Sequence, residues 1–353
     1  MLTLIVQPTL ILSNLLILFN STCKDYTIRL TKRQINIGEI IILSTSISFY
    51  LQMTFSKMKH LLASLLFATG FFAAMPAAAQ PFGRQEPPKQ THELKCGDLT
   101  LGLDAERGGK ILSFKYKDTE IISQSRFPES FGSTFWTSPQ KEWNWPPVKE
   151  FDKGPYKIEQ QSDTRLVLVS EVSERMKYRI RKDINADAKN KAFVITYSII
   201  NESDETRQVA PWEITRVTNE NGLIFFEAPL DGITPAGLMS FKEDKGAVWY
   251  QTDEAPENRK INADGKGWLA YSANGLLLIK KFEDLTPAQP APGEAEVQVY
   301  VNRGKSYIEL ESQGAYTTLK PGEQLTWTVR WYLQPVKNSA PKALLKQVKK
   351  AIR

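Results

Sequence analysis

The end of the chain reads Tyr307-Ile308-Glu309-Leu310-Glu311-Ser312-Gln313, followed by Leu319-Lys320-Pro321-Gly322-Glu323 and by Leu325-Thr326-Trp327-Thr328-Val329-Arg330-Trp331-Tyr332-Leu333. Apolar and polar residues alternate in the first and third segments, as they do in strands that bury one face. The Pro-Gly pair between them is typical of a turn. This stretch therefore predicts two β-strands joined by a turn, with Glu309 and Glu311 on the polar face of the first strand.

The same alternation recurs along the chain from residue 93 to residue 336. Residues 176–181 and 193–199 place apolar and polar side chains at every second position, which is the pattern of half-buried strands. Residues 273–275, Ala-Asn-Gly, separate two further segments of this kind and predict a hairpin. No segment repeats at a fixed period, which argues against a solenoid or a propeller. We therefore predict an all-β fold, a single-domain antiparallel sandwich over residues 93–336.

Residues 337–353 are basic and predict a short C-terminal helix at about residues 341–352. Proline suits the first helical turn, and an apolar stripe among lysines indicates one buried side; these residues are Pro341, Leu344, Leu345 and Val348. We expect this helix to dock on the sandwich rather than to contact a membrane.

Residues 58–79 have the features of a secretory signal peptide. Lys59 and His60 form a short polar start, residues 61–75 are mainly apolar, and the alanines that end at Ala79 offer a cleavage site. A transmembrane helix is the alternative, but the apolar core is short and ends in small residues rather than in a charged stop. We expect export across an inner membrane, cleavage near Ala79, and a periplasmic or secreted protein.

This interpretation makes Met58 the expected start of translation. We interpret residues 1–57 as an over-extended gene start, and a membrane anchor at residues 2–19 is the less favoured alternative. The polar and proline-rich residues 80–92 predict a flexible leader to the fold.

The composition argues against several classes of function. The net charge is +6, but residues 1–79 hold six basic and two acidic residues. The remainder therefore carries about +2, which gives nucleic-acid binding no support. Cys96 is the one cysteine after Ala79, so no intramolecular disulfide is expected there. Cys96 and His92 alone cannot complete a four-ligand metal site, and we predict no metal and no cofactor.

Three motifs together resemble the galactose mutarotase-like superfamily. They are Glu106-Arg107-Gly108-Gly109-Lys110-Ile111-Leu112-Ser113, which resembles the family's opening hairpin; residues 195–204, a strand that ends in Asn-Glu-Ser-Asp; and Leu310-Glu311-Ser312-Gln313 with the Pro-Gly-Glu turn after it. Their order and spacing carry the resemblance, which covers about residues 95–335. Residues 131–151 and 211–216 resemble a secreted bacterial branch of the superfamily. The implied fold is a β-supersandwich whose concave sheet face binds sugars.

The resemblance also implies the chemistry of mutarotation. A base takes the proton from the anomeric hydroxyl while an acid protonates the ring oxygen. The family uses a glutamate as the base and a histidine as the acid. Glu311 fits the glutamate position, although an ordinary solvent-facing carboxylate would show the same alternation. The histidine position falls between Trp212 and Arg216, where the sequence has no histidine. Either Glu213 points towards Glu311 and supplies the acid through a raised pKa, or acid catalysis has been lost.

A tryptophan-rich loop at residues 131–151 contains Trp136, Trp143 and Trp145. Indole rings suit the apolar C–H faces of pyranoses, while the alternative is a hydrophobic plug over one end of the sandwich. The three tryptophans, together with Trp212, Arg216 and Arg107, are the expected sugar-binding residues.

We therefore predict an exported carbohydrate-binding protein that holds a mono- or oligosaccharide at the concave face near Glu311. The alternative is an isomerase resembling aldose 1-epimerases, with Glu311 as general base and a non-histidine acid such as Glu213. The missing histidine favours binding, because a general acid contributes ~10²–10⁴-fold to a rate. We expect no nucleic-acid partner and no membrane contact beyond export. The sequence leaves the identity of the sugar and the oligomeric state open.

Overall fold

The computed structural model describes residues 92–124 and 130–353, which belong to one compact unit. The strands are β1 (His92–Cys96), β2 (Leu99–Asp104), β3 (Lys110–Tyr116), β4 (Thr119–Glu120), β5 (Ser133–Ser138), β6 (Tyr156–Gln161), β7 (Arg165–Ser170), β8 (Tyr178–Asp187), β9 (Ala192–Asn201), β10 (Arg207–Val217), β11 (Leu223–Phe226), β12 (Lys242–Asp244), β13 (Ala247–Gln251), β14 (Arg259–Ala263), β15 (Trp268–Ala273), β16 (Leu276–Lys281), β17 (Val297–Val301), β18 (Ile308–Gln313), β19 (Thr317–Leu319) and β20 (Gln324–Pro335).

In the part of the chain that the structure describes, two short α-helices accompany the strands. Helix α1 spans Lys149–Asp152 and helix α2 spans Pro341–Ala351, with single 3₁₀ turns at Gln140–Glu142 and Leu230–Gly232. Helix α2 is the helix expected at the C-terminus, and it buries the predicted stripe of Leu344, Leu345 and Val348. The interpretations of residues 1–57, 58–79 and 80–91 lie outside the described residues, and His92 already belongs to β1.

The strands form two antiparallel sheets of ten strands each. Sheet 1 has the order β1-β2-β3-β5-β10-β18-β17-β14, with β4 beside β3 and β19 beside β10. Sheet 2 has the order β12-β13-β11-β15-β16-β20-β9-β8-β7-β6. This architecture confirms the predicted all-β antiparallel sandwich with a short C-terminal helix.

Strand β10 shows which face of sheet 1 looks into the sandwich. Successive side chains of a strand point to opposite faces. Glu213 points between the sheets, because it contacts Lys280 and Trp331 of sheet 2. Its neighbours Trp212 and Ile214 therefore point to the outer face of sheet 1. We call this outer face, around β5, β10, β18, β17 and β14, the polar face.

The contact of Glu213 with sheet 2 is a fully buried ion pair. Lys280 Nζ lies 3.0 Å from Glu213 Oε1, and neither side chain is exposed. Lys280 also donates to the carbonyl of Leu310 at 3.0 Å, and Trp331 Nε1 donates to Glu213 Oε1 at 2.9 Å. Burial lowers the pKa of Lys280, although the nearby carboxylate of Glu213 opposes that shift. The pair therefore links β10 and β18 of sheet 1 to β16 and β20 of sheet 2.

Replacing Lys280 by Met is expected to lower the free energy of unfolding by roughly 3–5 kcal/mol, because Glu213 would stay buried without its cation. Denaturant unfolding followed by tryptophan fluorescence measures the change. The double variant Lys280→Met/Glu213→Gln should recover most of the loss, since a neutral amide keeps an acceptor for Trp331. An equal loss in both variants would show that the cost comes from packing rather than from charge.

Candidate functional site

Four strands bring the polar side chains of the candidate site into rows across sheet 1. Ile214 of β10, Glu311 of β18 and Gln298 of β17 are register partners. In the next row, Arg216, Glu309 and Tyr300 are partners in the same order, and Lys260 of β14 follows Tyr300. Register partners in adjacent strands share a face, so these side chains project together from the polar face.

Glu311 is completely buried on this face. Its Oε2 atom accepts hydrogen bonds from Trp212 Nε1 at 2.8 Å and from Lys260 Nζ at 2.9 Å. The Oε1 atom is buried and has no hydrogen-bond partner among the described residues. Burial raises the pKa of Glu311, with repulsion from Glu309 adding to the shift and the contacts with Lys260 and Trp212 opposing it. The Oε2 atom of Glu311 is therefore already hydrogen-bonded, whereas its Oε1 atom can still accept a hydrogen bond from a hydroxyl or hold a proton.

Lys260 connects this carboxylate to the surface. Its side chain is about one-third exposed while that of Glu311 is not exposed at all. The ammonium group also lies 4.7 Å from the ring centroid of Trp212, within range of a cation–π interaction. Lys260 is therefore the partly exposed member of this ion pair.

Arg216 and Glu309 form a second ion pair beside the first. Arg216 Nη2 lies 2.8 Å from Glu309 Oε1, and the Glu309 side chain keeps 12% of its surface exposed. The guanidinium lies 5.9 Å from the ring centroid of Trp136 and 5.8 Å from that of Tyr307. Such buried and stacked geometry suits arginine and holds its charge at the edge of the tryptophan cluster.

The four predicted tryptophans form one cluster on the polar face. Trp136 lies at its centre, with ring centroids at 5.5 Å from Trp143, 6.3 Å from Trp145 and 5.4 Å from Trp212, all edge to face. Trp136, Trp143 and Trp212 are nearly inaccessible, whereas Trp145 is 60% exposed. Packing therefore accounts for three of the rings, and Trp145 alone among them offers a broad free surface.

The tryptophan cluster is anchored by Asp152 of helix α1. Its Oδ1 atom accepts hydrogen bonds from Lys110 Nζ at 2.9 Å, Thr134 Oγ1 at 3.0 Å and Trp136 Nε1 at 2.9 Å. Burial raises the pKa of Asp152, but Lys110, the indole donor and Arg216 outweigh burial and hold that pKa below its ordinary value. Asp152 is therefore a charged anchor for the indole of Trp136.

The Gly-Gly hairpin of residues 106–113 positions Lys110. A Cβ on Gly108 would lie 2.3 Å from the carbonyl oxygen of Asp152, so only glycine fits there. Lys182 of sheet 2 donates to the carbonyls of Gly108 and Gly109 at 2.7 and 3.1 Å. Asp152 on one side and Lys182 on the other thus fix the hairpin, and the side chain of Lys110 extends from it towards Asp152.

Two of the expected site residues do not join the others. Glu213 points into the sandwich on the opposite face of β10 from Trp212, so the expectation that it converges with Glu311 is corrected by the alternation of the strand. Arg107 is bonded to Asp104 at 2.8 Å, with 44% of its side chain exposed, and its guanidinium lies 5.6 Å from the ring of Phe131. Arg107 therefore lies at the margin of the site, near the Gly-Gly hairpin.

The window expected to hold the family's histidine, residues 212–216, places Trp212, Ile214 and Arg216 on the polar face. An indole N–H donates a hydrogen bond but does not ionise in the neutral pH range. Trp212 can therefore orient Glu311 but not act as a general acid. His92 lies in β1, five strands from β18 in the sheet order, which is about 24 Å at the usual strand spacing. It is too distant to replace the missing acid.

Lys260, Lys110 and Asp152 are site residues that sequence reasoning missed. Lys260 stands in a short strand separated from Glu311 by 50 residues of chain, and its neighbourhood follows only from the pairing of β14, β17 and β18. The sequence did indicate Lys110, because this residue directly follows the Gly-Gly pair of the hairpin that resembles the family's. Nothing in the sequence indicated Asp152 beyond its position directly after the tryptophan-rich loop.

A cavity of about 300 Å³ opens beside the candidate site, lined among others by Thr234, Asn262, Asp264 and Glu294. Asn262 is the register partner of Gln298, which is the partner of Glu311, so the cavity lies about 10 Å from Glu311 along the sheet. Glu294 accepts from Gln298 Nε2 at 3.0 Å and from the backbone N–H of Gln140 at 3.2 Å. It therefore ties the β16–β17 connection to the tryptophan-rich loop.

Within residues 92–124 and 130–353, no group of three or more His, Cys, Asp and Glu side chains is arranged to hold a metal ion. No helix in the same described ranges is long and apolar enough to cross a membrane.

Comparison with solved structures relates the chain to sugar epimerases by fold. A protein named as an aldose 1-epimerase from Escherichia coli superposes with a TM-score of 0.52 at 15% identity, over 69% of this chain and 98% of that one. The chain has the galactose mutarotase-like fold. An aldose 1-epimerase-named protein from Klebsiella pneumoniae gives 0.49 at 11% identity, over 72% and 80% of the two chains.

A galactose mutarotase-like protein from Clostridium acetobutylicum gives a TM-score of 0.45 at 11% identity, over 69% of this chain and 94% of that one. No protein-family model matches the sequence. No curated protein matches it significantly. At 15% identity and a TM-score of 0.52, the likeness to the Escherichia coli protein shows the fold alone.

The buried Lys182 that holds the Gly-Gly hairpin should make stability depend on pH. Burial, with repulsion from Lys110, lowers the pKa of Lys182 from its ordinary 10.5 to about 7. The unfolded chain then binds the proton more tightly than the folded one, so stability should rise with pH between 7 and 9 by roughly 2 kcal/mol. Lys182→Met should abolish that part of the rise in denaturant titrations at several pH values. The exposed Lys157→Met is the matched control, and an unchanged slope in Lys182→Met would refute the depressed pKa.

Proposed function

We propose that the protein binds a carbohydrate on the polar face of sheet 1, next to Glu311 and the exposed ring of Trp145. The observation that carries the proposal is the coexistence of a buried carboxylate with one unpaired oxygen and a free indole surface within one tryptophan cluster. The mutarotase-like fold supports the placement.

The chemistry of the face suits a polyhydroxylated ligand. Sugar hydroxyls need charged and amide partners, and the partly exposed members of the two ion pairs, Lys260 and Glu309, offer a donor and an acceptor. Charge-assisted hydrogen bonds of this kind are stronger than neutral ones. The C–H faces of a pyranose need an apolar platform, which Trp145 provides at 60% exposure.

Binding is favoured over catalysis because the site lacks a suitable acid at the expected place. Mutarotation needs a base and an acid on one sugar. Glu311 is available as a base, but the window expected to hold the histidine presents Trp212, Ile214 and Arg216 on the polar face, and Glu213 points into the core. We therefore propose a non-catalytic carbohydrate-binding role as the leading function.

The contact between Lys260 and Glu311 favours a second candidate, an aldose 1-epimerase-like isomerase. An ammonium group 2.9 Å from the carboxylate is a proton donor beside a base. In such an enzyme Glu311 would take the anomeric proton and Lys260 would deliver one to the ring oxygen. This arrangement replaces the expected pair of Glu311 and Glu213.

We also propose that the protein acts after export, in the periplasm or outside the cell. The support is the sequence of residues 58–79, with its apolar run and its alanines before Gln80. N-terminal sequencing of the protein recovered from the exported fraction tests this, with Gln80 as the expected first residue. A recovered protein that begins at Met1 would contradict the export proposal.

The binding proposal predicts sugar affinity that depends on Glu311 and Trp145. In a screen of mono- and oligosaccharides, Glu311→Gln and Trp145→Ala should each weaken the best ligand by about tenfold or more, because each removes a contact worth about 1.5 kcal/mol or more. Calorimetric titration measures the affinities. The exposed Glu283→Gln and Leu230→Ala are matched controls and should bind normally. Binding that survives both site variants would place the sugar elsewhere, and no binding by the wild type would refute the proposal.

Polarimetry separates the two candidate functions. We expect freshly dissolved aldoses to approach their equilibrium rotation at the same rate with and without the protein, because no acid stands at the family position. An acceleration by the wild type that is lost in both Glu311→Gln and Lys260→Met would instead establish the isomerase. An acceleration that persists in Glu311→Gln would refute Glu311 as the base.

A further inference from the structure

A second cavity lies at one end of the sandwich, away from the polar face. Its volume is about 570 Å³, within the range of small-molecule sites. It is bounded by the β1–β2 turn, the β8–β9 turn, the end of β20 and the second half of helix α2. Both sheets and the helix therefore contribute to it, and the site residues described above do not.

Polar and apolar residues both line this cavity, and the buried residues of the lining are apolar. Buried side chains from three strands form the wall, with the thiol of Cys96 beside them; these are Cys96, Leu99, Tyr332 and Leu333. Cys96 is a free cysteine, and burial raises the pKa of its thiol. An apolar ligand segment would be shielded from water against this wall.

The rim of the cavity is basic. Lys191, Lys337 and Lys350 line it, against the single acidic residue Asp98. None of the three ammonium groups has an ion-pair partner among the described residues. In addition, the buried Nε2 of Gln334 has no hydrogen-bond acceptor in that part of the chain, and Gln334 also lines the cavity. The rim thus holds several uncommitted donors and little negative charge.

We propose that this cavity binds an anionic amphiphile, with its apolar body against Leu99, Tyr332 and Leu333 and its carboxylate or phosphate at Lys191, Lys337 and Lys350. The apolar body of the ligand matches the wall, because burying apolar area is favourable. The anionic headgroup matches the rim, because unpaired cations favour an anion. A sugar, which lacks an extended apolar segment, would leave the wall unused.

Decanoate, decyl phosphate and 1-decanol, all below their aggregation concentrations, are the probes for the full chain. Calorimetry should show one site for each anion and binding of decanol at least about tenfold weaker. Decanoate should also slow the alkylation of Cys96 by iodoacetamide several-fold, followed on the Cys96 peptide by mass spectrometry so that Cys23 does not interfere. Equal affinities for decanol and decanoate, or no protection of Cys96, would overturn the proposal.

Two substitutions, Lys350→Glu and Ala188→Trp, test the basic rim and the space in the cavity separately, and neither changes a buried core residue. Lys350→Glu should weaken decanoate by about tenfold and leave decanol unchanged. Lys320→Glu, in the turn between β19 and β20, makes the same change in net charge and should affect neither probe. Ala188→Trp, at an exposed position that lines the cavity, should weaken both probes by occupying the space. Equal effects of Lys350→Glu and Lys320→Glu would show nonspecific charge attraction and overturn the assigned site.

Discussion

The antiparallel pairing of β10 with β18 is the constraint on which both the core and the candidate site depend. Its register sets Trp212, Ile214 and Arg216 opposite Gln313, Glu311 and Glu309. Because side chains alternate across a strand, the same pairing sends Glu213 inwards to Lys280 and Trp331. A slip of one residue would move every one of these groups to the other face. The buried ion pair and the polar face are therefore two consequences of one register.

The buried charge within the sandwich makes that register more specific. Glu213 is stabilised only when Lys280 of sheet 2 lies opposite it, and a shifted strand would bury the carboxylate without a partner. The penalty for such an orphan charge is several kcal/mol. Apolar side chains can pack in many arrangements, whereas the ion pair of Glu213 and Lys280 forms in only one alignment of the two sheets. We infer that Glu213 serves the architecture, although its acidic side chain and its place in the chain made it resemble a catalytic group.

Much of the fold could be predicted from the sequence because its signals are local. Period-two alternation predicted the strands, the Pro-Gly and Asn-Gly pairs predicted turns, and the stripe at Leu344, Leu345 and Val348 predicted helix α2. The candidate site was predictable only in part. Glu311 and Trp212 came from motifs near each other in the sheet order, whereas Lys260 reaches Glu311 through a pairing of strands that no local pattern encodes. The burial of Trp143 against the exposure of Trp145 likewise depends on how the loop folds back over Trp136.

The bond between Asp152 and Trp136 closes the tryptophan-rich loop at its base. Within the segment predicted as a loop, Ser133–Ser138 form strand β5, which contains Trp136. Asp152 of helix α1 follows residue 151, and the hydrogen bond of 2.9 Å between Asp152 and Trp136 joins the strand to the helix across the loop. Glu294 holds the middle of the loop at Gln140. Most of the ordering entropy of the segment is therefore lost during folding and not when a ligand arrives. The loop is thus largely preorganised for a ligand, and its exposed tip includes Asn144 and Trp145.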